Sequence, residues 1–277
     1  MEKEKISSFL KGFFAVFLVI VLVLAYVFIR NLGENEAETT TTQVQTDAAG
    51  SVLPTTEPVV LSGVCDILFG CGEGNTVDFL LRAVFDLDNR QVTVYAIPVD
   101  LTLSYGGGTA SVGEVLSSGG AGALAAAIGG YYSDSFDRYY FCTPSAFQSV
   151  TRLLGSADIQ VPHDVSYVRE DVVINLQAGR QSLSGEDLYH YLTYADEGDA
   201  LLNIQAEAMA AMLQSYLNTR NVAKGEALFS DLINDATSNI TAYDYMNYQA
   251  ILAQMAASTE IVYQSGGIAA LSGGEDG

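Results

Sequence analysis

The chain has 277 residues, 49% of them apolar, and a formal net charge of −21. That length suits one membrane anchor, one tether and one domain with a sizeable core. After residue 60 the only cations are Lys224 and seven arginines, none of them clustered. Such a surface repels phosphate polymers at long range, and nucleic acid is excluded as a partner.

Residues 1–11 carry Lys3, Lys5 and Lys11 and read as a cytoplasmic N-terminus. Residues 12–30 read as a transmembrane helix, because Gly12 to Ile29 is an uncharged apolar run. At about 1.5 Å per residue it spans roughly 27 Å, close to the hydrocarbon thickness. Tyr26, Phe28 and Arg30 do not make a small-residue cleavage site, so the anchor is expected to be retained. Only Arg30 follows the run before Glu34, Glu36 and Glu38. The positive-inside rule then puts the main domain outside the cell membrane, as in a single-pass protein. Residues 31–62 are acidic and threonine-rich, with Pro54 and Pro58, and read as a flexible tether.

Val64–Phe69 is a short apolar run that suits a central strand, followed by a glycine-rich turn from Gly70 to Gly74. Val77–Asp86 and Gln91–Ile97 read as two strands of a hairpin around Asp86-Leu87-Asp88-Asn89. Gly113–Ile128 reads as a small-residue helix. No Gly-Lys-Ser/Thr follows its glycines, which excludes a phosphate loop of that kind. Arg138–Cys142 reads as a strand, Thr143 as an N-cap with Pro144 at the first helical position, and Gly155 as the stop. Ile159–Pro162 is a short strand. Ser184 and Asp187 form a capping-box pattern for Gly185–Leu192. Asp199 is placed to cap a long helix to about Leu217, and Thr241 with Asp244 repeats the box for Ala242–Ala256. Interleaved strands and helices predict an α/β fold: a mixed β-sheet core flanked by helices, preceded by one transmembrane helix. The domain is expected over 63–258, with a C-terminal tail over 259–277.

Three cysteines, Cys65, Cys71 and Cys142, are too few for a disulfide scaffold and their spacing fits no zinc site. On an extended strand Cys65 and Cys71 stand about 20 Å apart and cannot bond to each other. All three read as buried small hydrophobes. The two histidines, His163 and His190, lack a serine-and-aspartate setting, which argues against a hydrolase triad.

Three stretches together resemble the LytR-CpsA-Psr (LCP) family. Asp78–Asp100 (DFLLRAVFDLDNRQVTVYAIPVD) is similar to the family's paired strands ending in Ile-Pro-Arg-Asp. Arg138–Pro162 (RYYFCTPSAFQSVTRLLGSADIQVP) resembles its strand, helix and Leu-Gly-Gly-Val-Asp-Val-Pro end. Leu176–Tyr191 (LQAGRQSLSGEDLYHY) resembles its Lys-Ala-Gly-Lys-Gln-x-Leu-x-Gly-Glu pattern. The likeness runs from about Val64 to Ala256. It implies a protein of cell-wall biogenesis outside the membrane. Such enzymes move a glycopolymer, such as wall teichoic acid, from a polyprenyl-pyrophosphate carrier to peptidoglycan. It also implies a hydrophobic tunnel for the prenyl chain, with Mg2+ and arginines holding the pyrophosphate.

Phosphoryl transfer needs positive charge where negative charge accumulates, and arginine supplies it as a bidentate fork. This sequence departs from the family at each arginine. Thr76 and Val99 stand at two of those positions, Leu192 to Ala195 carry neither of the next pair, and Leu202, Gln205 and Ala206 fill the last set. The resemblance places the retained Asp78 and Asp100 near the magnesium, as candidate metal ligands and catalytic residues. Arg82 shares strand parity with Asp78. It is the candidate pyrophosphate-binding cation or, alternatively, the ion-pair partner of Asp78. The expected function is that of a membrane-anchored, catalytically impaired binding or scaffold protein for polyprenyl-linked lipid. The alternative is an active phosphotransferase with a rebuilt site.

Overall fold

The structure is a computed structural model and describes residues 60–169 and 172–270. The expected cytoplasmic segment, the transmembrane helix and all of the tether before Val60 lie outside the described residues.

Strands β1 (Val64–Glu73), β2 (Thr76–Asp86) and β3 (Gln91–Ile97) form a consecutive antiparallel set. The turn between β2 and β3 is held by Asn89, whose backbone N–H and side-chain amide donate to the Asp86 carboxylate at 3.0 and 2.8 Å. This is the local chemistry that makes Asp and Asn good turn residues. A small hairpin follows, β4 (Thr102–Tyr105) and β5 (Gly108–Ser111), and leads into helix α1 (Val112–Tyr132). Next come β6 (Arg138–Cys142), α2 (Pro144–Leu154), β7 (Ala157–Val161), β8 (Val165–Arg169), β9 (Val172–Leu176) and β10 (Gly179–Leu183). The chain continues through α3 (Gly185–Tyr194), α4 (Gly198–Tyr216), α5 (Thr219–Ala223) and α6 (Gly225–Asn234). It then runs through β11 (Ala236–Ser238), α7 (Ala242–Ala257) and β12 (Val262–Ile268).

The main sheet has six strands in the order β11-β6-β1-β2-β3-β12. Strand β1 is parallel to β6 and β3 is parallel to β12, while β2 and β11 run the other way. One face packs on α1, through Leu68, Leu80, Ile97 and Phe141 against Val115, Leu124 and Ile128. The other face packs on α2, α3 and α4, through Phe79, Leu81, Val94 and Ala96 against Phe147, Leu188, Leu192 and Met209. Covering both faces explains why the central strands read as almost unbroken apolar runs. By length and composition α1 is apolar enough to cross a membrane. Its buried residues instead pack on the sheet, and Gly120, at φ 76, kinks it.

Several expectations hold residue for residue. Thr143 caps α2 by accepting from the Ala146 N–H at 3.2 Å, with Pro144 first in the helix and Gly155 at its end. Thr241 and Asp244 form a capping box in which each side chain takes the other's backbone N–H. Others are corrected. The Gly70–Gly74 segment is strand as far as Glu73, and the turn narrows to Gly74-Asn75. Ser184 stands at the N-cap position but makes no side-chain cap bond, because Gly185 enters α3 in the left-handed region at φ 57. Asp199 lies in the first turn of α4, and Glu197 holds the cap position. The segment expected as a tail contains β12, so ordered structure extends to at least Ile268.

Candidate functional site

The parallel strands β1, β3 and β6 all end at one edge of the sheet, the edge where open α/β sheets bind ligands. A bulge shapes that edge. Cys71 pairs with Phe79 and Gly72 with Val77, which leaves Asp78 without a partner on β1. A Cβ on Gly72 would run into the Thr76 carbonyl and the Val77 Cα, so only glycine lets β2 close on β1 here. The bulge also reverses the alternation of β2. Val77 packs in the α1 cluster, whereas Phe79 packs in the cluster of α2 to α4.

Asp78 is half-buried and accepts a hydrogen bond from the Tyr189 hydroxyl of α3 at 3.1 Å. Burial pushes its carboxyl above the ordinary range, more than the Tyr189 hydrogen bond lowers it. The Tyr189 phenol is pushed up in turn, first by burial and then by the Asp78 charge. Asp100 follows Ile97-Pro98-Val99 and is exposed. Leu80 pairs with Ile97, so Asp78 and Asp100 leave the sheet at the same end.

Among the described residues no group of three or more His, Cys, Asp or Glu side chains is gathered to hold a metal. Two carboxylates at one sheet end do not make a cage. Mg2+ is usually held by one or two carboxylates completed by water and substrate phosphates.

Arg82 is not at this edge. It donates through Nε to Asp66 Oδ2 at 2.8 Å, and through Nη2 to Asp66 and to Asp134, and its guanidinium lies 5.9 Å from the Phe136 ring centre. The shared parity of Asp78 and Arg82 is cancelled by the bulge, so Arg82 is neither the partner of Asp78 nor directed at a ligand there. Asp66 is 8% exposed, and its Oδ1 is buried without a hydrogen-bond partner. Burial therefore raises its carboxyl in spite of Arg82.

Most of the positions where the resemblance expects arginine are occupied by packing. Ala195 is buried, Leu202 packs against the cluster of α2 to α4, the Thr193 hydroxyl donates to the Tyr189 carbonyl at 2.9 Å, and Gln205, 2% exposed, donates to the Leu192 carbonyl at 2.9 Å. Thr76 is exposed, and Val99 packs beside the α1 cluster.

Between the sheet and helices α2, α4 and α6 lies an apolar cavity of about 310 Å³. Phe69 and Phe79 form its sheet wall, and Phe147, Met209, Leu213 and Phe229 belong to its helical walls. No charged side chain is among the residues that line it. A second recess of about 540 Å³ shares Leu154, Phe229 and Leu232 with it and runs under α7 at Tyr245 and Leu252. A third, more polar recess lies at the strand ends, bordered by Gly72, Glu73, Gly120, Cys142 and Thr143. Sequence reasoning singled out Asp78 and expected an apolar tunnel from the resemblance, but named neither Tyr189 nor the residues that line the cavity. No local pattern connects Tyr189 to Asp78, and cavity residues are ordinary core types. Gly72 inside a strand was the one available sign of the bulge.

The comparisons agree with this architecture. The solved structure of B. subtilis TagV is 21% identical, with a TM-score of 0.60, over 73% of this chain and 84% of that one. B. subtilis TagU gives 17% identity and a TM-score of 0.52, over 68% and 80%. Protein gbs0355 from Streptococcus agalactiae gives 16% and 0.58, over 73% and 76%. At these identities the likeness is one of fold. No curated protein sequence matches the chain. The LytR_cpsA_psr family model, however, matches residues 26–265, most of the molecule, and the chain belongs to that family.

Proposed function

We propose that this protein is anchored in the cell membrane by residues 12–30 and works outside it in cell-wall glycopolymer assembly. It holds a polyprenyl-(pyro)phosphate lipid and is impaired in transferring the polymer. The observation that carries this reading is the uncharged cavity that reaches from Phe79, next to Asp78, back to α4 and α6. An isoprenoid chain is a long apolar object that such walls bury favourably. The impairment follows from charge. One transition-state arginine is worth roughly 10³-fold or more in rate, and the family's arginine positions here hold Thr76, Val99, Thr193, Ala195, Leu202 and Gln205.

A second reading, an active transferase that delivers the polymer to peptidoglycan, is favoured by Asp78 and Asp100 at one sheet end. In that case these carboxylates would hold Mg2+, which would neutralise charge on the phosphates when bound. Tyr189, which donates to Asp78, would hold that carboxylate in place for the ion.

The test is to incubate the full chain in detergent with a short-chain polyprenyl-pyrophosphate sugar and Mg2+, then measure retained lipid and released polyprenyl phosphate together. Retained lipid without release is the expected result. Release that disappears in Asp100→Ala would overturn the impaired reading in favour of the transferase. A failure of both would end the lipid reading. Leu213→Trp, which fills the cavity, should abolish retention.

A further inference from the structure

We infer that Cys71 and Cys142 are a cross-strand redox pair that closes into a disulfide joining the carboxyl ends of β1 and β6. The two are direct register partners on these parallel strands. Neighbouring strands lie about 4.7–4.9 Å apart, inside the range of roughly 4.4–6.8 Å over which disulfides link Cα atoms. Both side chains point into the same apolar cluster, at 0% and 4% exposure, so their Cβ atoms share a face. Both are thiols in this structure. The neighbouring Cys142 side chain and burial push the Cys71 thiol up. The hydrogen bond to be given up is a weak one from Cys142 Sγ to the Gly70 carbonyl at 3.8 Å. Cys65 has no such partner, because β6 pairs with β1 only from Ile67 to Cys71.

Position gives the bridge its meaning. Cys71 pairs with Phe79, immediately beside the bulge that presents Asp78. Cys142 precedes the Thr143 cap of α2 and borders both the apolar cavity and the polar recess at the strand ends. Closure therefore ties the bulge to the start of α2 at the mouth of the cavity. The Cys142 side of the pair is the one a small oxidant reaches first. With glutathione disulfide as oxidant, the Cys142 thiolate attacks one glutathione sulfur, the glutathione S–S bond breaks and one glutathione leaves. The Cys71 thiolate then displaces the second glutathione. The protein loses two electrons, and both thiol protons end on reduced glutathione. A raised Cys71 thiol makes the second step slow at neutral pH and faster as pH rises.

The inference rests on strand register and not on the lipid reading. The full chain in detergent is refolded from urea across glutathione redox buffers, quenched in acid, then alkylated with N-ethylmaleimide under denaturing conditions and mapped by mass spectrometry. At the oxidising end, Cys65 alone is expected to take the label and a linked Cys71–Cys142 peptide pair to appear. Dithiothreitol should then lower the unfolding temperature of the wild type and leave Cys71→Ser or Cys142→Ser unmoved. Labels on all three cysteines at every poise, or Cys65 in the bridge, would overturn the inference, and this readout needs no variant to fold. Lipid retention scored on the same samples separates the two ideas. Lost lipid with an intact bridge sinks the proposed function alone, whereas three labels beside retained lipid sinks the bridge alone.

Discussion

The two ends of the central sheet use charge differently. Where β1 and β6 begin, Asp66, Arg82 and Asp134 form one ion cluster, and Arg138 pairs with Asp244 to fasten α7 to the sheet. Where the same strands finish, the defined polar contact is a carboxylate held by a neutral phenol, Asp78 with Tyr189, above an uncharged cavity. Arg82 and Arg138 are thus committed to architecture at the end opposite Asp78. A phosphate arriving at Asp78 meets acid and apolar wall, whereas the same phosphate at the other end would have to displace carboxylates from Arg82.

The comparison can be broken at either end. The largest effect is expected from Phe79→Ala. It removes a ring that is 1% exposed, packed edge-on against Phe147 with centres 5.3 Å apart. A loss of about 3–5 kcal/mol in chemical denaturation is expected, together with a widened cavity. If the loss were near zero, the cavity would already be collapsible and unsuited to hold a ligand.

Arg82→Ala comes next, at about 1–3 kcal/mol, because Asp66 is left as a buried, unpaired carboxylate. The sign of its pH dependence follows from the raised Asp66 carboxyl. The ionised form is the costly one, so the variant should recover toward wild type as pH falls and Asp66 protonates. A deficit independent of pH would show that Arg82 acts by packing on Phe136 instead.

Asp244→Asn tests the second ion pair, with a smaller expected cost of about 1 kcal/mol. The Arg138 hydrogen bond, and then those from Thr241, hold the Asp244 carboxyl down to about 2, against an ordinary 3.8. Its stabilisation is full above the ordinary value and lost as pH falls through about 2. The acid limb of the wild-type stability curve should therefore flatten in the variant.

The smallest change is Tyr189→Phe, about 0.5–1.5 kcal/mol. Losing the phenol donor should move the Asp78 carboxyl still further up, as read by NMR titration of that side chain. An unchanged titration would mean that burial alone sets it and that Tyr189 does not organise the edge.

Most of the architecture was legible because its signals are local. Thr143-Pro144 and Thr241-x-x-Asp244 start helices with their own side chains, and Asp86 and Asn89 close their own turn. What escaped depends on distant partners. Val262–Ile268 carries two glycines and becomes a strand because β3 offers it an edge. The β4–β5 hairpin turns through three successive glycines, Gly106 to Gly108, and its short strands carry too little apolar alternation to mark it. The Asp78–Arg82 relation failed because a period-two argument assumes an unbroken ladder, and one inserted residue reverses every inference drawn across it. Asp78 itself was singled out because the family motif names it. Its partner came from a helix more than a hundred residues away.

The pairing of β12 with β3 has a consequence for how the molecule opens and closes. Gln264 and Thr93 meet across 171 positions of sequence, while β1, β2 and β3 meet through short turns. Closing so long a loop costs chain entropy that short hairpins do not. This rim is thus expected to form late and open early. Backbone amides of Val262 to Ile268 should trade hydrogen for deuterium well before those of β1 and β2, so the sheet unzips from the edge that the sequence supplies last.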